Sequence, residues 1–376
     1  MITIHTNPAA GSSLHDNMWH VVSSDASGFT DFKYVYDIYI GGVQKIRVKQ
    51  FPEPSSGLGY FDAGPVVRNY MTYQWFEPIN SSAFVAQPDM SGQIGIQYQL
   101  RVGEDYSGIT TTNLASADAS GINWAPNIFK RRVTGLSNKL NKWITNRPAY
   151  ANTKLTENLF IGFYTTPGSS LTLHCKKYDE SNSQIGSTLN GSPVVITDGF
   201  VQMNIGTTAL SATLSTTFDE GVKYYDVYFN AYDYIRVYVV CNPKYDSIPI
   251  HFLNRWGMWD TQRFDLVSKL EMNIERKGYG QRDYRFNGTS VDYISAANRY
   301  YEGKINYSQK ADWTYKLTAD AMTDSEWEWM ADLYTSPQIL MEIDGYFYPV
   351  TIKKSNYEYM KFVNDRLKPL EVEFEM

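Results

Sequence analysis

Apolar and polar positions alternate with a period of two along much of the chain, which is the pattern of half-buried strands. In "DFKYVYDIYIGGVQKIRVKQF", residues 31 to 51, the alternation runs through Phe32, Tyr34, Tyr36 and Ile38. It turns at Gly41-Gly42 and resumes at Val43, Lys45 and Arg47, so a hairpin is predicted. "PEPSSGLGYFDAGPVVRNYM" then breaks and restarts the chain with turn-forming Pro, Gly and Ser. Periodicity fades between 110 and 156, where the text is polar apart from a possible short helix near Leu136 to Trp143. This segment is expected to be an extended arm, with the first domain boundary near 150.

Strand patterns return in "NLFIGFYTT", "SSLTLHCKKYD" and "YYDVYFNAYDYIRVYVVCN", whose spacing suits a β-sandwich over 151–250. A third unit, 251–376, opens on "HFLNRWGMWDTQRFD". Within it the period changes once. Thr323 and Glu326 make a capping box, and Trp327, Met330, Ala331 and Tyr334 fall at i, i+3, i+4 and i+7, predicting a helix over 323–335 with one apolar stripe. Ser336-Pro337 stops it, Asp344-Gly345 makes a hairpin turn, and Leu370, Val372, Phe374 and Met376 alternate with glutamates in a last strand.

Trp327 is thus expected in the core. Trp329 stands about 200° round the helix from it, on the exposed side, and is the candidate oligomer-interface residue. The fold class expected is mainly β and multidomain: β-sandwich or barrel-like domains at 1–150 and 151–250, and a C-terminal β-rich module at 251–376 with one short helix.

Composition narrows the function. A chain of 376 residues exceeds one comfortable core, so two or three domains are expected. The net charge of -6 and the absence of any basic run longer than "KRR" at 130 to 132 argue against a nucleic-acid binder. Thirty tyrosines favour strands and protein contacts. No 18 consecutive apolar residues and no basic-then-apolar start occur, so neither a membrane span nor a secretion signal is expected. Cys175 and Cys241 are too few for a disulfide framework and are expected to be buried thiols.

Candidate chemistry is sparse. His5, His15, His20, His174 and His251 never approach ligand spacing, and no HExxH, GxSxG, GxxxxGK[ST] or GxGxxG motif is present. Neither a metal nor a cofactor is expected. Asp226 with Asp233, or Asp260 with Asp265 beside Trp256 and Trp259, could serve a glycosidase, which needs only two well-separated carboxylates. Acids alternating with aromatics also mark the solvent face of a strand, the reading preferred here.

Two stretches resemble a known group. "MWHVVSSDASGFTDFKYVYDIYIGGVQKIRVKQFPEPSSGLGYFDAGPVVRNYM", with its Gly59, Phe61, Asp62, Val67 and Tyr70, resembles the opening of virion structural proteins of Bacteroides-type phages, including crAss-like phages. "FLNRWGMWDTQRFD" with the C-terminal "W…L…SP…DG…YPVTI" is similar to the same group and to tail-hub and tail-completion modules. Together they cover about half of the chain. The resemblance implies a non-enzymatic subunit of a homo-oligomeric neck or tail ring, touching other phage proteins, made in the host cytoplasm and ending in the virion. The alternative is a glycan-binding or glycan-degrading virion protein.

Overall fold

The computed structural model describes residues 1–8, 12–14, 17–71, 85–86, 95–115, 119–122, 140–197, 199–240, 245–280, 284–286, 288–293, 304–353 and 369–376. Within them the chain is mainly β, with short helices at Gly64–Arg68, Thr207–Leu214 and Asp324–Tyr334.

The predicted hairpin is present: Lys33–Ile40 pairs with Val43–Gln50, and Gly41 and Gly42 both take positive φ, the conformation a tight two-residue hairpin turn requires. Lys33–Ile40 lies between Val43–Gln50 and the twelve-residue strand Gly95–Tyr106. A second sheet, of Ile2–Thr6, Trp19–Ser24 and Gly59–Asp62, contributes to the same core. Tyr34, Tyr36 and Ile38 meet Val22, Phe61, Leu100 and Val102 there. The "GYFD" segment works by packing: Phe61 stacks on Tyr36 at 4.7 Å, and Asp62 accepts from the Met18 and Gly64 amides.

The middle of the chain is two facing sheets on one core. One contains Lys142–Trp143, Phe160–Tyr164, Phe200–Asn204 and Val85–Ala86; the other contains Tyr150–Thr153, Ile235–Val239, Tyr224–Phe229, Leu173–Tyr178 and Gln184–Asn190. Of the predicted helix at 136–143, residues 136–139 lie outside the described set. Lys142–Trp143 forms a strand instead, because Trp143 packs against the contacting pair Phe163 and Phe229. The arm expected over 110–156 is therefore largely structure where it is described: Ile109–Ala115 and Ala119–Ile122 pair with Gly95–Tyr106 of the first sheet, and the last fourteen or so positions already belong to this second core. Cys175 is buried and free, its thiol pushed up to about 12 by burial; Cys241 lies outside the described residues.

The C-terminal part is a seven-stranded sheet in the order Trp259–Phe264, Ile248–Leu253, Ile339–Ile343, Tyr346–Ile352, Pro369–Glu375, Lys304–Ala321, Lys269–Gly280. The Asp344-Gly345 turn has positive φ at both residues, and Leu370, Val372 and Phe374 alternate inward as expected.

The helix Asp324–Tyr334 carries its predicted capping box, with the Thr323 hydroxyl accepting from the Glu326 amide and the Glu326 carboxylate accepting from the Thr323 amide. Its faces, however, are not those predicted. Trp329 is 1% exposed and Trp327 only half-buried. Trp329 packs at 5.6 Å from Phe252, beneath the Arg147 guanidinium at 4.5 Å. The helix is held on two sides, by the sheet and by segments 145–147 and 254–260. A one-stripe reading sees only the first of these. Trp329 is core, not an oligomer contact.

Candidate assembly surface

Two features stand out from the ordinary core: a buried polar joint between the middle and C-terminal sheets, and an exposed two-stranded ribbon.

The joint is built by the "NRWGMWDTQR" segment. Gly162 allows it, since a Cβ there would sit 2.7 Å from Met258, so only glycine lets the Phe160–Tyr164 strand approach so closely. Arg255 donates to Asp332 of the helix at 2.8 and 2.5 Å, and the Asn146 amide oxygen, turned toward the guanidinium, accepts from it at 2.6 Å. One Asp260 oxygen accepts from the Thr145 hydroxyl at 2.5 Å and from the Trp329 indole at 2.9 Å. Gln202 donates to the Trp259 carbonyl and accepts from its amide. His251 bridges Thr261 and Glu342, and Arg263 pairs with Glu157 at 2.7 Å. Each buried charge here has at least one partner, as the cost of removing ions from water demands, although among the described residues the second Asp260 oxygen and the two terminal nitrogens of Arg263 accept or donate no hydrogen bond.

Burial raises the Asp260 carboxyl to about 6, opposed by the hydrogen bonds from Thr145 and Trp329 and by Arg147. An elevated carboxyl can mark a catalytic acid. Here Asp260 is 1% exposed, enclosed with Thr145 and Trp329 inside the joint. Beside the joint a polar pocket of about 80 Å³ is lined chiefly by Arg147, Arg263, Asp265, Asp320 and Glu326. It has room for a few waters, and its mixed charges favour no ion of either sign. Asp260 and Asp265 thus face different surroundings.

The other acid pair is no closer to catalysis. Asp226 is clamped by both forks of Arg236 at 2.8 and 2.9 Å, while Asp233 is exposed and uses its carbonyl to accept from Trp143. The histidines are dispersed. His20 is buried between Asn7 and Tyr98, its pKa lowered to about 4; His5 bonds Ser23; His174 stacks on Tyr228; His15 lies outside the described residues. Among the described residues no three His, Cys, Asp or Glu side chains converge as a metal site would need.

The ribbon is different in kind. Lys269–Gly280 pairs along its whole length with the far part of the eighteen-residue strand Lys304–Ala321, and all twelve of its residues are exposed. The neighbouring strand Pro369–Glu375 pairs with that long strand only from Thr314 onward, so residues 304–313 and their partners extend past the sheet. At about 3.4 Å per residue the ribbon is about 40 Å long.

Its two faces differ. Leu270, Met272 and Ile274 lie opposite Tyr315, Trp313 and Ala311 on one face, and Leu270, Met272, Ile274 and Trp313 are 41–50% exposed. The other face carries Lys269, Glu271, Glu275 and Lys277 opposite Lys316, Thr314, Lys310 and Ser308. Further along the same strand, Tyr315 and Leu317 enter the C-terminal core on the side of Trp313. The apolar face therefore continues the inner face of the sheet beyond the layer that covers it. A bulge at Lys277/Gly278 then brings up a second exposed pair, Tyr279 and Tyr307, at 6.4 Å.

At the ribbon's root the sheet end holds an open apolar groove of about 710 Å³, lined by Pro337, Ile339, Leu340, Pro349, Val350 and Met376 with the Glu375 carboxylate at its edge.

The chain matches no protein-family model, and no curated protein is similar to it in sequence. No helix among the described residues is long and apolar enough to cross a membrane.

The sequence does not mark the ribbon as one, for a simple cause. "KLEMNIERKGY" alternates like any half-buried strand, and alternation does not say whether the apolar side has a cover.

Proposed function

We propose that this chain is a structural subunit that assembles with copies of itself into a ring, contacting other proteins of a larger particle. The particle proposed is the virion of a tailed phage, in its neck or tail, on the strength of the sequence resemblance. The observation that carries the assembly reading is the ribbon. A two-stranded arm without a second layer is at best marginally stable alone in water, and a bare apolar face on it costs free energy that is recovered when something covers it. Arms of this shape suit protein contact better than catalysis, for they offer length and edge but no enclosed cavity.

The glycan-degrading alternative has no observation in its favour, with Asp226 clamped by Arg236 and Asp260 enclosed in the joint.

Sedimentation velocity of the purified chain, with negative-stain imaging, tests the proposal. A closed oligomer of defined stoichiometry is expected. A chain that stays monomeric at every accessible concentration overturns the self-assembly reading.

A further inference from the structure

Resting on that assembly reading, we infer that the ribbon of one copy docks in the groove at the sheet end of the next copy, between Pro337–Leu340 and Pro349–Thr351.

Three observations select this occupant. The first is shape. Leu270, Met272, Ile274 and Trp313 make a narrow apolar face that stands clear of the sheet. The groove is concave, apolar and on the same chain, so it can hold such a face from both sides, which a second flat ribbon cannot.

The second is charge. The far half of the ribbon carries Arg276, Lys277, Lys304 and Lys310 against Glu275, so it is net basic on a chain whose net charge is -6. Glu375 edges the groove, and Glu371 and Glu373 continue the acidic row along the same strand, with Lys316 set against Glu373 of that row. A basic arm is drawn to this acidic body and repelled by another basic arm.

The third is connectivity. The ribbon cannot fill its own groove. It leaves the sheet through the Thr314–Glu375 pairing and the bond from the Met376 amide to the Trp313 carbonyl. Bending back over its root would break that ladder. The groove is therefore open to a different copy. An arm on one surface meeting a groove on another is a heterologous contact, the kind that closes into a ring when its rotation allows.

The test uses the full chain with Trp313 replaced by the photocrosslinker p-benzoylphenylalanine, mixed with an equal amount of heavy-isotope wild-type chain. Irradiation is expected to join the Trp313 position of a light chain to a heavy peptide containing 337–340 or 349–351. If the chains assemble but the crosslinks fall elsewhere, the docking inference is wrong and the assembly reading survives. If no assembly forms, both fall.

A second pair of variants checks the geometry. Met272→Glu on the ribbon and Pro349→Glu in the groove are each expected to weaken self-association at least tenfold while leaving the far-UV spectrum unchanged. Mixed together they keep one intact ribbon and one intact groove, so heterodimers without closed rings are expected. Recovery of neither dimers nor rings on mixing, with both variants folded, contradicts a ribbon-in-groove contact.

Discussion

Trp329 shows how one side chain can be decided by a partner 69 positions away. Its indole N–H is satisfied by the Asp260 carboxylate and its ring lies between Phe252 and Arg147. Removing it leaves a cavity and strips a donor from a buried acid. Trp329→Ala is expected to cost about 3 to 5 kcal/mol and Trp327→Ala well under half of that, because Trp327 is half solvated. Urea melts of the two variants measure the difference; equal losses would refute this assignment.

Asp260 belongs to the same scale. Its folded value of about 6 exceeds the ordinary 3.8, so the folded state binds the proton more tightly. The stability this gives is fully present below about pH 3.8 and is lost as pH rises through about 6, a penalty on the order of 3 kcal/mol at neutral pH. His20, lowered to about 4 by burial, acts in the opposite direction over nearly the same range. The wild-type curve mixes the two, and Asp260→Asn separates them. Asparagine keeps an oxygen for Thr145 and Trp329 and carries no charge, so the variant should gain stability relative to wild type as pH rises from 4 to 7. Parallel wild-type and variant curves across that range would remove Asp260 from the account.

Among the elements, the helix Asp324–Tyr334 was the most legible, because capping is local chemistry between residues three apart. Thr323→Ala should cost about 1 kcal/mol, and Thr323→Ser should recover most of it, as chemical denaturation can check. The hairpins at Gly41-Gly42 and Asp344-Gly345 and the closing strand were legible for the same reason: turn residues and period-two alternation are written over a few positions. Burial on both sides of an element is not. Trp329 was misplaced because the second layer over its helix comes from residues 145–147 and 254–260, and no periodicity within 324–334 encodes them. Trp143 was misread as helical for a related cause, since its aromatic partners Phe163 and Phe229 lie 20 and 86 positions on. The ribbon is indistinguishable in sequence from an ordinary strand, because alternation states which side is apolar and not what covers it.

Across the whole molecule, the boundary drawn at 250 is crossed by a polar joint. Arg255 reaches Asp332 and Asn146, Asp260 reaches Thr145, and Gln202 reaches Trp259. Breaking such a joint on one side leaves a buried ion unmatched, so Arg255→Ala is expected to cost about 3 to 5 kcal/mol. Calorimetry should show the middle and C-terminal sheets melting together in wild type and separating in that variant; two separate wild-type transitions would contradict the coupling. The ribbon has a consequence at this scale too. Its outer strand, Lys269–Gly280, is the last of its sheet among the described residues and offers an edge of backbone donors and acceptors twelve residues long. Left unguarded, such a row recruits any passing strand and seeds fibres. Lys269, Glu271, Glu275, Arg276 and Lys277 stud it with charges of both signs, and the bulge at Gly278 twists its tip out of register. Promiscuous strand addition is thereby discouraged while the apolar face stays exposed, so under the assembly proposed above the arm is kept for a partner shaped to receive it.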